Sequence, residues 1–190
     1  LVIFSSESEY RTFTPRLARM LNGSAQPPQS GGYTINGIAT STWNPKYGTA
    51  RPVYTHEFVH SLIEKTMRFP SGQGEWVHEG LANLYQAKLY PQDNLKKIVQ
   101  EGIEDEEARL PLETLCNGWR IPMNRYWQAM TVMQMLIDDD KYSMRLKEAL
   151  EAMRGNGTTD LSEILEPVFD VSWEEFTFDW LTFCSATFID

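Results

Sequence analysis

The chain has 190 residues, 42% of them hydrophobic and six of them Trp, enough for one domain whose core needs neither disulfide nor metal merely to fold. Its 26 acidic residues outnumber the 17 basic ones, and a net charge of −9 argues against nucleic acid or an anionic membrane surface as the main partner. No apolar stretch approaches the roughly 18 residues of a membrane span, so no membrane insertion is expected of this chain.

Leu1–Phe4 is an apolar run that reads as a β-strand, placed centrally. It has no initiator Met and no basic n-region, so a processed chain or a domain excised from a longer protein is expected. Glu7–Leu21 has the spacing of a helix, with Tyr10, Phe13, Leu17 and Leu21 on one side and an interruption at Pro15. Pro27–Gly32 is loop chemistry. Tyr33–Trp43, rich in β-branched residues, reads as one strand or as a hairpin turning near Asn36-Gly37.

Pro52 suits the first position of a helix running to about Arg68, with Val53, Phe58, Val59, Leu62 and Ile63 on its apolar side. After a connection containing Pro70, Gly72 and Gly74, a second helix runs from about Glu75 to Tyr90, with Trp76, Leu81, Leu84 and Leu89 as core candidates. Two helices so joined can lie antiparallel. The remainder reads as helical segments near Asn94–Gln100, Pro111–Cys116, Pro122–Ile137, Lys141–Arg154, Asp160–Val168 and Ser172–Cys184. Ser172 with Glu175 forms a capping box, and Glu104–Glu107 is a charge run suited to a solvated loop or helix start. Met123, Met130, Met133 and Met135 read as core filling and cleft lining, and Trp173, Phe176, Trp180 and Phe183 as the packing face of the last helix. Cys116 and Cys184 could pair or stay as buried thiols. Strands first and helices after make an α+β layout. The single domain then comprises residues 1–50 (mainly strand and loop with one helix), 51–90 (the helix pair) and 91–190 (a helical subdomain).

The helix pair carries the chemistry. His56-Glu57-Phe58-Val59-His60 is an H-E-x-x-H pattern, and all three histidines of the chain fall between residues 56 and 78. Residues four apart on a helix lie about 40° apart around the axis, so His56 and His60 share a face and can bind one zinc ion. Glu57, beside that face, is placed to act as general base on an activated water. Glu79, eighteen residues after His60, is the expected third ligand. His78 and Glu75 compete for that role; consecutive helix positions point about 100° apart, so only one of His78 and Glu79 can face the metal. Asn83, one turn after Glu79, reads either as a partner for the outer N–H of a ligating histidine or as a solvent-facing residue.

With these residues placed, the chain resembles the gluzincin branch of zinc metallopeptidases, and within it the single-domain peptidase-MA-like proteins. Trp76-Val77-His78-Glu79-Gly80-Leu81-Ala82 is similar to the W-x-x-E-G-x-A segment of that group and, more distantly, of the catalytic domain of the related aminopeptidases. Looser likenesses lie in Gly31-Gly32-Tyr33, in Tyr126-Trp127-Gln128-Ala129, and in the Leu165–Trp180 tail. The resemblance implies a zincin-like fold, with a small twisted N-terminal sheet over an active-site helix and a mainly helical C-terminal part. It also implies one zinc ion per chain, a peptide or protein substrate, and a secreted or cell-envelope location. It implies a tyrosine that hydrogen-bonds the oxyanion; Tyr126 matches by position, a core tyrosine being the alternative. Those aminopeptidases bind the substrate's amino terminus through a G-x-M-E-N-type strand. Gly37-Ile38-Ala39-Thr40-Ser41 stands in that region without a carboxylate, so an endopeptidase is expected, with substrate pairing along this strand. The reading from another class is a non-catalytic zincin-fold scaffold holding zinc in a structural role.

Overall fold

In the computed structural model of the chain, residues 1–22, 30–46, 52–69, 73–91 and 94–189 are described. Among them the fold is mixed α+β and mostly helical, with a small three-stranded sheet. Strands β1 (Val2–Phe4), β2 (Gly32–Ile35) and β3 (Ile38–Thr42) are ordered β1-β3-β2, with β1 parallel and β2 antiparallel to β3. The turn between β2 and β3 falls at Asn36-Gly37, whose φ angles of 49° and 71° are those of a type I′ hairpin.

Two expectations about the sheet are corrected. Leu1–Phe4 is an edge strand, with Leu1, Val2 and Ile3 all exposed. Its apolar run records a short strand lying against α1 through Phe4, whose ring packs on Tyr10 and Phe13. The strand containing Gly37–Ser41, expected to offer its edge to substrate, is the central one; the edge on the cleft side is β2.

Helix α1 (Glu7–Asn22) runs through Pro15 without a break. Proline removes one backbone donor, but the buried face of Tyr10, Thr14, Leu17 and Ala18 holds both halves against the sheet. Phe13, expected on that face, is exposed on its rim. Helices α2 (Val53–Thr66) and α3 (Glu75–Leu89) form the expected antiparallel pair. A phenol–phenol hydrogen bond of 3.0 Å between Tyr54 and Tyr90 ties the start of one to the end of the other. Val59 and Ile63 are buried, whereas Phe58 and Leu62 are exposed, because the face that meets the hairpin is the polar one carrying Glu57 and Ser61. On α3, Trp76, Leu81 and Leu84 are core and Leu89, in the last turn, is exposed.

The C-terminal part comprises α4 (Leu95–Glu104), a 3₁₀ turn (Glu106–Ala108), α5 (Leu112–Leu115), a 3₁₀ turn (Met123–Arg125), α6 (Tyr126–Asp138), α7 (Asp140–Asn156), α8 (Ser162–Ile164), a π-turn (Leu165–Phe169) and α9 (Trp173–Phe188). Ser172 caps α9 by accepting from the Glu175 N–H at 3.2 Å. Met130, Met133, Met135, Phe176 and Trp180 are core residues, and Cys116 and Cys184 are buried free thiols. Helix α3 packs on α6 at Gly80, where a Cβ would stand 2.6 Å from the Ala129 carbonyl oxygen. That close approach seats the helix carrying Glu79 directly on the main hydrophobic core.

Candidate metal centre

Helices α2 and α3 bring His56, His60 and Glu79 together. The four-residue spacing sets the two imidazoles on one face, ring centroids 4.6 Å apart, as helix geometry requires. Glu79 approaches from α3: its Oε2 lies 3.2 Å from His56 Nε2 and its Oε1 3.5 Å from His60 Nε2. One ligand atom from each residue lies within 4.8 Å of the others. A tetrahedral zinc site with bonds of about 2.0–2.1 Å holds its donor atoms roughly 3.3 Å apart. The site also passes a second test of fit. Glu79 Oε2 is buried and accepts no hydrogen bond among the described residues despite its nearness to His56 Nε2, as expected of lone pairs aimed at a common point rather than at each other.

Burial depresses the pKa of His60 to about 2, helped by His56 and His78, so its ring is neutral and able to ligate. For His56 burial acts in the same direction, but the Glu79 and Glu57 carboxylates outweigh it and the net shift is upward. Gln86 of α3 also contacts His56.

Glu57 projects from α2 toward β2 rather than toward Glu79, and its side chain is buried. Thr34 Oγ1 lies 2.8 Å from Glu57 Oε2 and 2.9 Å from the Glu57 carbonyl oxygen, so the hydroxyl donates to one or the other. Burial pushes the Glu57 carboxyl up to about 7, against the opposing pull of His56 and Thr34. Room for the carboxylate exists because residue 32 is glycine: a Cβ there would stand 2.7 Å from both Glu57 Oε1 and Val53 Cγ1. The hairpin turn is tied to the same helix face. Ser61 donates to the Gly37 carbonyl at 2.6 Å, and the Gly37 N–H donates to the Glu64 carboxylate. Glu57, Ser61 and Glu64 therefore hold β2 in register over α2.

The competing ligand candidates have other partners. His78 contacts His60 Nδ1 through its own Nδ1 at 3.4 Å and lies 3.0 Å from the Phe69 carbonyl through Nε2. Glu75 accepts the Ile121 N–H at 2.5 Å. The Asn83 amide donates to the Glu79 carbonyl of its own helix at 2.8 Å, leaving Gln86 as the polar neighbour of His56.

These residues line a cleft of about 540 Å³. Gly31, Gly32, Tyr33 and Thr34 form one wall, and Arg120, Met123 and Tyr126 lie among the other lining residues. The Tyr126 phenol is held well above its ordinary pKa by burial and by the Glu79 and Glu75 carboxylates, and so remains a hydrogen-bond donor. Thr34 and Gly32 are functional neighbours that the sequence reading missed; the double glycine Gly31-Gly32 ahead of a β-branched strand was the only trace of them. No family model, curated protein or solved structure matches the chain.

Proposed function

We propose that the chain is a zinc-dependent metallopeptidase of gluzincin type with a zincin-like fold, hydrolysing internal peptide bonds. The observation that carries this reading is the convergence of His56, His60 and Glu79 on one point, with the buried carboxylate of Glu57 beside them and outside the ligand set. A small sheet above the helix bearing the two histidines supports the fold assignment.

Zinc bound by His56, His60 and Glu79 would supply Lewis acidity, lowering the pKa of a water toward about 7 and polarising the scissile carbonyl. Glu57 would take the proton of an attacking water through its carboxylate and deliver it to the departing amine, as base and then acid. Thr34 keeps the group turned toward the cleft. Tyr126 donates its phenolic hydrogen to the oxyanion, a contact worth about 3 kcal/mol in comparable sites.

The substrate lies along β2. Register pairs Tyr33 with Thr40 and Ile35 with Ile38, and the Thr42 N–H donates to the Gly31 carbonyl. Antiparallel alternation then turns the backbone groups of Gly32 and Thr34 away from β3, toward the cleft. An extended peptide can add to that edge, which favours an endopeptidase.

The test is metal analysis of the purified chain with hydrolysis of a quenched peptide library by wild type, Glu57→Gln and Tyr126→Phe. The expected result is about one zinc per chain, peptide cleavage that vanishes in Glu57→Gln with zinc retained, and a fall in kcat of about 10²–10³ in Tyr126→Phe. Zinc bound at full occupancy with no peptide or protein cleaved would replace this reading with that of a scaffold holding structural zinc.

A further inference from the structure

We propose that His78 is a positioning residue for the metal ligand His60, fixing the tautomer that leaves His60 Nε2 free for the ion. The inference rests on the metal-site reading above and gives a role to the one histidine outside the ligand set.

A backbone carbonyl can only accept, so the 3.0 Å contact between His78 Nε2 and the Phe69 oxygen requires the hydrogen on Nε2. The neutral imidazole of His78 then presents a lone pair at Nδ1. His60 Nδ1, 3.4 Å away, must be the donor in that pair. With its hydrogen on Nδ1, His60 carries a lone pair on Nε2, the atom that faces Glu79 Oε1 at 3.5 Å. The chain runs from the Phe69 carbonyl through two imidazoles to the metal position, and each nitrogen along it has one permitted role. The rings of His60 and His78 lie 5.5 Å apart at an interplanar angle of 36°, so the contact is made at ring edges.

Adjacent residues of α3 therefore address His60 at both nitrogens, Glu79 facing Nε2 across the proposed metal position and His78 accepting from Nδ1 behind. Their side chains diverge by about 100° around the helix, which lets neighbours reach opposite edges of one ring. His78 is itself buried, and the Phe69 carbonyl comes from the chain just past α2, so ligand and support are both referred to the α2–α3 pair.

The imidazole of His78 has two separable functions, and two substitutions divide them. His78→Asn places a carboxamide oxygen near the former Nδ1, keeping an acceptor for His60. His78→Leu fills similar space and offers no acceptor. Zinc dissociation constants of the metal-free proteins, from competition with a chelating indicator, should rise about 10–100-fold for His78→Leu and return most of the way to wild type for His78→Asn. Equal loss in both variants, with both folded by circular dichroism, would mean a packing role alone and overturn the proposal, as would an unchanged constant in His78→Leu.

Nitrogen-15 spectra of imidazole-labelled, metal-free wild type give a readout needing neither variant nor zinc. His60 should show a protonated Nδ1 and a pyridine-like Nε2, and His78 the reverse. A His60 protonated on Nε2 would also overturn the proposal, even if the leucine variant fails to fold. Failure of the peptidase reading is distinguishable, because it appears as zinc without cleavage or as no zinc at all while the tautomers stay as stated.

Discussion

The Thr34 hydroxyl of the edge strand lies 2.8 Å from the Glu57 carboxylate of the metal-site helix, and both residues are buried. This contact joins the sheet to the proposed base. Thr34→Val keeps the shape and removes the hydrogen. Glu57 then loses the Thr34 donor, and stability should fall by about 1–3 kcal/mol. Because Thr34 acts to lower the Glu57 pKa, its loss should also move the acidic limb of the kcat/KM profile to higher pH. An unmoved limb would show that the hydroxyl serves only the Glu57 backbone carbonyl.

Gly32→Ala brings a methyl group against Glu57 Oε1 and Val53 Cγ1. Either β2 lifts from α2 or the carboxylate swings away. Overpacking of this kind destabilises by about 1–3 kcal/mol, and a base displaced by an ångström should lower kcat by about 10². Zinc content should stay that of wild type, since neither histidine is touched. A variant deficient in zinc would place Gly32 in the support of the metal ligands as well.

Metal binding joins α2 to α3 and should stabilise the native state by mass action. At free zinc about 1,000 times the dissociation constant the gain is about 4 kcal/mol. Calorimetric scans with and without a chelator should show a zinc-dependent rise in Tm for wild type and none for Glu79→Ala. A shift of equal size in Glu79→Ala would remove Glu79 from the ligand set.

The cysteines predict behaviour in alkali. Burial pushes the Cys184 thiol up to about 12, and raises Cys116 as well. Below about pH 9 the thiols are protonated in both native and unfolded chains and their contribution to stability is complete. Above it the unfolded thiols ionise while the native ones do not, so stability falls as pH rises toward the native pKa. Urea unfolding near pH 8 and near pH 10 should show that decline, reduced in Cys184→Ala. An aromatic disulfide reagent should find no reactive thiol in the native chain and two in denaturant.

The clustering of the proposed ligand residues is legible in the sequence because helix periodicity turns a four-residue interval into a shared face, which brings His56 and His60 together. Glu79 was legible through its place on a second helix. What supports these residues was not. Thr34 and Glu57 are 23 positions apart, and their contact depends on how a hairpin lies over a helix, which no local pattern encodes. His78 was weighed as a rival to Glu79; its partner is a backbone carbonyl at Phe69, and side-chain chemistry alone could not point there. Phe58 and Leu62 were assigned to the core on hydrophobicity, but the polar face of α2 is the one that meets the sheet. Pro15 suggested a break that tertiary packing overrides. Of the two readings of Tyr33–Trp43 the hairpin at Asn36-Gly37 is the one formed, whereas Gly32, expected in a surface loop, is a buried residue of β2.

Thr34 and the turn residue Gly37 bond the hairpin to α2, while the proposed metal ligands stand on α2 and α3. For protein engineering this separates two design variables. Tyr33 lies on the cleft wall and is not among the three residues of the candidate metal centre, so it can be randomised as a selectivity dial without replacing His56, His60 or Glu79.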